Sequence, residues 1–312
     1  MVKVLLKAAV SAALIWLLLR NMDTASILDQ VLDVGWGSFA LASIIMIALS
    51  VPATARWRAV LLAFQQPMGW WPGWRIVMTG LFFNQVLPSS VGGDAVRMWQ
   101  ARSAGFNLRT SVNSVLIDRV IGLAAVFLIT AFALPRLFEI IDDPVLRWAF
   151  VIVVTGGLSG LAGLLIFRRL GRFLERWSLT RALGALSDDF RSVVANQRIG
   201  TIVVGLSVLI QVAFALVAFL LARSLALPLT AIDCLALVPP VVLVMAVPIS
   251  IAGWGVREGA MVVALGFVGI DNHDALALSV LLGAATICGA LPGGLVWLID
   301  GRRHTPSPHL AE

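Results

Sequence analysis

Pro88-Ser89-Ser90-Val91-Gly92-Gly93-Asp94-Ala95-Val96-Arg97 and, 160 residues later, Pro248-Ile249-Ser250-Ile251-Ala252-Gly253-Trp254-Gly255-Val256-Arg257 are two copies of one motif, Pro-x-Ser-(Val/Ile)-x-Gly-x-x-Val-Arg. Each copy interrupts an apolar segment. Pro and Gly break helices, and an arginine at membrane depth is costly. A matched pair in the two halves of a hydrophobic chain therefore points to a binding site built from broken helices.

The surrounding composition agrees. Of 312 residues, 60% are hydrophobic and 13% charged, with a mean hydropathy of +0.96. That leaves too little polar surface to coat a soluble domain, so the expected fold is all-α, a polytopic helical membrane protein. The net charge of +6 does not imply a nucleic-acid partner, because the arginines lie in short stretches beside apolar spans. Membrane topology and anionic headgroups account for them, making membrane lipids the expected partners. Cys234 and Cys288 fall in apolar segments, and His273, His304 and His309 lack ligand spacing. No disulfide, metal or cofactor is expected. Lys3 and Lys7 precede an apolar run to Leu19 without a small-x-small cleavage site, which reads as a retained first span rather than a signal peptide.

Crossing a bilayer takes about 20 residues. Six segments qualify as full spans: 2–20, 37–62, 111–134, 147–167, 200–222 and 275–299. Two more, 74–104 and 229–270, are broken near their middles by the motif, and their flanks suit the half-helices of re-entrant hairpins. Residues 1–303 form one transmembrane domain on this reading. Residues 168–198 are an amphipathic cytoplasmic segment at the interface (Leu170, Phe173, Leu174, Trp177, Leu183, Leu186, Phe190), and 304–312 a disordered tail.

Lysine and arginine accumulate on the cytoplasmic side. Lys3 and Lys7; Arg56, Arg58 and Arg75; Arg168, Arg169, Arg172, Arg176, Arg181, Arg191 and Arg198; and Arg302 and Arg303 place four regions and both termini inside. The connections around Asp23, Asp29 and Asp33, around Glu139, Asp142 and Asp143, and around Asp271 and Asp274 are acidic or near neutral and fall outside. Arg75, Arg102 and Arg109 flank the first interrupted segment, whereas Asp233 and Asp271 flank the second. The two hairpins then enter from opposite faces, as in an inverted-repeat transporter whose site lies where the tips meet. Two full crossings for 229–270 are the alternative, although the dozen or so residues after Glu258 barely suffice.

Within the first motif, Ser89 and Ser90 offer hydroxyls, Gly92 and Gly93 permit close backbone approach, and Asp94 is placed to cap the next half-helix. Free amides at a helix start attract anions. Arg97, three residues after Asp94, shares its face and adds a fork of donors for a phosphate. Ser250, Gly253, Gly255, Arg257 and Glu258 repeat the device, with Trp254 either lining the site or packing. The structural alternative is a pair of turns in which Asp94 and Glu258 neutralise Arg97 and Arg257. Asp118 and Arg119 are sequence neighbours that point in different directions on a helix, so each needs another partner among Asp94, Arg97, Arg257 and Glu258. These six residues balance in charge, either as a headgroup site or as an ion-pair lock between helices. Gly156-Gly157-x-x-Gly160-x-x-Gly163 and the glycines from Gly283 to Gly294 favour close helix contact, and Trp36, Trp70, Trp71, Trp74, Trp148 and Trp177 read as interfacial anchors.

The run Phe83-Asn84-Gln85-Val86-Leu87-Pro88 through Arg97, with Ser114-Val115-Leu116-Ile117-Asp118-Arg119 and Pro248 through Glu258, resembles the lysylphosphatidylglycerol synthase transmembrane-region family of flippase-like proteins. The resemblance spans essentially the whole chain. It implies an inner-membrane protein that moves, or helps to supply, an amphiphilic lipid. Family members are associated with aminoacylated phosphatidylglycerol, lipid-linked sugars and hopanoids. It also implies site roles for Asn84, Pro88, Ser90, Gly92, Gly93, Asp94, Arg97, Asp118, Arg119, Gly253, Gly255, Arg257 and Glu258. Bifunctional members carry a soluble aminoacyl-transferase domain after the membrane region, and none precedes Glu312, so synthesis of that lipid is not expected.

The expected function is translocation of an anionic or lipid-linked amphiphile across the bacterial inner membrane, without enzymatic chemistry. No Gly-x-x-x-x-Gly-Lys-Ser/Thr motif is present, which leaves passive, ion-coupled or consumption-driven movement. The competing readings are a membrane-embedded transferase using Asp94, Asp118 or Glu258 as a base on a polyprenyl-phosphate or glycolipid, and an accessory subunit of a lipid-modifying complex. A homo-oligomer or a lipid-modifying enzyme is the corresponding protein partner.

Overall fold

The computed structural model describes residues 35–87, 92–170, 178–246 and 253–301. Among the described residues, the helices are α1 (Trp36–Ala48), α2 (Ser50–Ala63), α3 (Trp70–Val86), α4 (Gly92–Ser103), α5 (Leu108–Ile140), α6 (Pro144–Leu170), α7 (Ser178–Ala195), α8 (Gln197–Ser224), α9 (Ala231–Met245), α10 (Val256–Gly266) and α11 (Asn272–Gly301). Five stretches are long and apolar enough to cross a bilayer: Trp36–Ala63, Leu108–Ile140, Pro144–Phe167, Gln197–Ser224 and Asn272–Asp300. The protein is a polytopic helical membrane protein. These stretches match five of the six expected spans; the sixth, 2–20, and the tail 304–312 lie outside the described residues.

Polar caps determine where the long helices begin. Asn107 accepts from the Thr110 amide at 2.8 Å to start α5, and Asn196 accepts from the Ile199 amide at 3.1 Å to start α8. Thr230 and Asp233 form a reciprocal capping box at the start of α9.

The interrupted segments behave differently from the spans. α4 and α10 contain 12 and 11 residues. At 1.5 Å per residue they are about 18 and 16 Å long, roughly half the hydrocarbon thickness. α3 packs against α4, and α9 against α10. The outer ends of these two pairs lie at opposite ends of α5. Met68 and Phe106, which flank the first pair, join Trp57, Leu61 and Val115 in a cluster near the start of α5. Leu229 and Ile270, which flank the second, join Leu137 and Ile141 at its end. Ion pairs follow the same division: Arg109–Asp189 at 2.7 Å forms at the first end and Arg136–Asp233 at 2.7 Å at the other.

The two halves exchange partners. α3 packs on α11 and α4 on α5, whereas α9 packs on α5 and α10 on α11. Likewise α1 lies against α11, and α8 against α5. α5 and α11 thus each brace one arm of both broken pairs. The arms do not pack extensively on the opposite pair among the described residues.

Part of the apolar face of α7 packs on protein, with Phe190 and Val193 buried beside Val60, Ile117, Ile199 and Val203, while Phe173, Leu174 and Trp177 lie outside the described residues. One expectation is corrected here. The α6 glycines do not form a packed seam among the described residues. Only Gly157 meets a neighbour, the Phe127 ring, while Gly156, Gly160 and Gly163 face open space. On α11 the glycine expectation holds, with Gly289 against Met46 and Gly293 against Met78.

Candidate functional site

α3 leaves the helical conformation at Leu87 (φ −78°, ψ 143°), one residue before Pro88. Ser89 and Ser90 lie outside the described residues. α4 opens on Gly92-Gly93, and the Gly93 amide donates to Asn84 Oδ1 at 3.0 Å. A Cβ at Gly93 would overlap the Gly80 carbonyl and the Asn84 side chain, so the first turn of α4 can lie on α3 only because it is glycine. Asn84 therefore does the capping expected of Asp94, whose carboxylate is turned to α5.

There the charged residues converge. Arg97 Nη1 donates to Asp118 Oδ2 at 3.0 Å and lies 3.8 Å from Asp94 Oδ1. Arg119 Nε reaches Asp94 Oδ2 at 2.7 Å. The remaining oxygen of Asp118 accepts from Arg56 Nε at 2.7 Å, and Arg56 Nη1 continues to Ser207 Oγ on α8 at 3.0 Å. The Arg97 guanidinium sits 5.0 Å from the centre of the Trp57 ring, whose indole N–H donates to Ser114 Oγ at 3.2 Å. Arg97 and Asp118 are 6% and 2% exposed, so this is a buried cluster; Arg119 alone reaches its edge, half-exposed. Asp118 is ten residues into the 33-residue α5, about 15 Å from its start and short of its middle.

Three arginines (Arg56, Arg97, Arg119) face two aspartates (Asp94, Asp118), leaving one positive charge in excess. Arg97 Nε and Nη2 are buried with no hydrogen-bond partner, as is Asp94 Oδ1. Buried unsatisfied donors are rare because each forfeits hydration without compensation.

The second motif has the same parts, but the Nε/Nη2 edge of its arginine is filled. Gly253 and Gly255 adopt φ of +82° and +83°, left-handed conformations that favour glycine, just before α10 begins. Ser250 lies outside the described residues. Arg257 Nε and Nη2 both donate to Glu258 Oε1, at 3.0 and 2.6 Å, and Nε is also 3.3 Å from Ser279 Oγ. The other Glu258 oxygen accepts from the Gly255 amide at 2.6 Å, so the protein's own carboxylate occupies the start of α10. Trp254 lies over the Arg257 guanidinium at 4.5 Å. Gly283 makes room on α11, where a Cβ would overlap that guanidinium.

The structure thus divides the expected six-residue network. Asp94, Arg97, Asp118 and Arg119 meet in one cluster, while Arg257 and Glu258 pair with each other and with α11. The two groups also sit near different ends of the bundle: Asp118 is close to the start of α5, and Ser279 is seven residues into α11, next to the outer end of the second pair. A single site at meeting tips is not formed by these side chains. For the second motif the structural-turn alternative describes the contacts, whereas Arg97 exceeds what Asp94 neutralises.

Arg56, Trp57 and Ser207 were not singled out from the sequence. Arg56, which the charge pattern groups with the cytoplasmic connection, is 12% exposed and part of the cluster. The signal was available, because Arg56 falls inside the apolar run 37–62, where an arginine carries the same cost that drew attention to Arg97.

A family model described as the lysylphosphatidylglycerol synthase TM region matches residues 4–293. No curated protein matches the chain.

Proposed function

The chain belongs to the lysylphosphatidylglycerol synthase TM-region family of lipid-handling membrane proteins, and we propose that it is a flippase-like translocator of an anionic or lipid-linked amphiphile across the inner membrane. The observation that carries this reading is Arg97: a buried arginine beside a helix break among membrane-spanning helices, with two donors that lack hydrogen-bond partners and a net positive surrounding. An arginine at the centre of such a helix costs about 2.5–3.5 kcal/mol even on the lenient scale. A headgroup that occupies the open donors offsets the cost.

The polar headgroup enters past half-exposed Arg119 and reaches Arg97, while its tails stay in the bilayer. α3–α4 and α9–α10 act as re-entrant hairpins from opposite faces, a reading supported by their length and by their bases at opposite ends of α5. Rocking of one half against the other, with α5 and α11 as the shared frame, exposes the headgroup to each side in turn. The protein does no chemistry on the lipid in this scheme.

The test is reconstitution into vesicles containing a headgroup-labelled phospholipid whose outer-leaflet fraction is quenched chemically. The parent chain is expected to make the inner-leaflet fraction accessible at a rate that rises with protein per vesicle. Arg97→Gln is expected to slow that rate at least tenfold. Equal rates for protein-free vesicles and parent would sink the proposal.

A further inference from the structure

The two motifs differ at the residue after the arginine: Arg257 is followed by Glu258 and Arg97 by Met98. In the second motif the Nε/Nη2 edge of the guanidinium is filled by the Glu258 carboxylate. In the first, the same edge is buried and has no hydrogen-bond partner. That edge carries two parallel N–H groups, the fork that matches two oxygens of a carboxylate or phosphate. Glu258 is thus an internal example of the anion that Arg97 lacks.

We propose that the Arg97 cluster is a receptor for one phosphodiester, the linkage of a glycerophospholipid with a single net negative charge, and that the second motif holds none because its own glutamate fills the equivalent place. The cluster's surplus is one charge, three arginines against two aspartates, so one singly charged phosphodiester neutralises it. A diphosphate would leave the buried site negative, and a burial of uncompensated charge is strongly unfavourable. Trp57 closes one face of the guanidinium, and the chain of Arg56, Asp118 and Ser207 holds it in place, so the open edge is pre-aimed. Arg119 on the cluster's rim supplies the route from the bilayer. This inference rests on the lipid-translocator reading and names its cargo class.

The experiment uses the full chain in micelles of a phosphate-free maltoside detergent, titrated with short-chain phosphatidylglycerol, with short-chain diacylglycerol lacking phosphate, and with inorganic phosphate. Retained ligand is counted by native mass spectrometry. One phosphatidylglycerol per chain is expected, with diacylglycerol not retained. Met98→Glu, which copies the second motif's anion into the first, is expected to weaken binding at least tenfold. The neutral Met98→Gln is expected to stay within twofold of the parent, which separates charge from disturbed packing. Arg97→Gln should match Met98→Glu. Undiminished binding by Met98→Glu, or retention of diacylglycerol equal to that of phosphatidylglycerol, overturns the receptor. Inorganic phosphate binding as tightly as the lipid overturns the lipid assignment in favour of a free anion. The two readings fail separately: a parent that binds phosphatidylglycerol without moving it in vesicles refutes translocation alone. A Met98→Glu chain that moves lipid as fast as the parent refutes the receptor alone.

Discussion

The first and second motifs each place an arginine over a glycine and under a tryptophan: Arg97 between Gly80 and Trp57, and Arg257 between Gly283 and Trp254. One guanidinium is left with two open donors and the other has its equivalent edge closed by its sequence neighbour. A repeated motif therefore does not imply a repeated role. The same framework is closed by its own acid in the second motif, and in the first, where methionine takes that acid's place, it leaves the donors that the proposed receptor uses. The closed copy, a clasp, joins α10 to α11 through Ser279, and the open copy joins α4 to α5, α2 and α8.

The sharpest break in this comparison comes from Glu258→Ala. Removing the carboxylate leaves a 4%-exposed Arg257 without its anion, and the expected cost is about 3–5 kcal/mol. It is read as a fall in unfolding midpoint in detergent, and a change below about 1 kcal/mol would mean that the clasp is not structural. Gly283→Ala comes next, at about 1–3 kcal/mol, because the added methyl collides with a guanidinium tied by bonds to Glu258 and Ser279. Gly80→Ala should cost less by the same measurement. Its methyl meets the aliphatic stem of Arg97 at 2.5 Å rather than the guanidinium, which makes one hydrogen bond, to Asp118, where that of Arg257 makes three. If the order is reversed, the open site is the more rigid of the two.

Arg97→Gln is expected to change stability by only about 1 kcal/mol, since Asp118 keeps its bond to Arg56. Loss of lipid binding without loss of fold is the signature of a receptor rather than a clasp. The smallest effect belongs to Arg109→Gln, which removes an exposed pair with Asp189. About 0.2–1 kcal/mol, weakened by salt, is expected there. It provides the baseline for an ion pair outside both motifs.

Much of this molecule was legible in its sequence. Sustained apolar runs located the spans, and Pro and Gly located the breaks, because helix length and helix termination are set by neighbouring residues. Asp118 and Arg119 do find partners elsewhere, as the divergence of helical neighbours suggests, but Arg257 and Glu258 pair directly, so adjacency alone does not decide the partner. The choice of partner was not legible. Arg56 was counted with the loop charges because it lies seven residues before the end of α2, where charge counting along the chain cannot tell a buried arginine from a cytoplasmic one. The α6 glycines misled for the opposite reason: a small-residue spacing marks a helix able to pack closely, but only the neighbouring helix decides whether it does.

By itself the sequence determined the all-helical membrane class, the two breaks and the residues worth watching, all through local periodicity and the cost of polar groups in hydrocarbon. Tertiary structure alone decided that Arg97 is open and Arg257 closed. Asp118 comes to Arg56 across 62 residues, and Ser207 across 151. Coulomb attraction and hydrogen bonding act over a few ångströms, so the assignment of each buried charge waits on which helices the packing brings together.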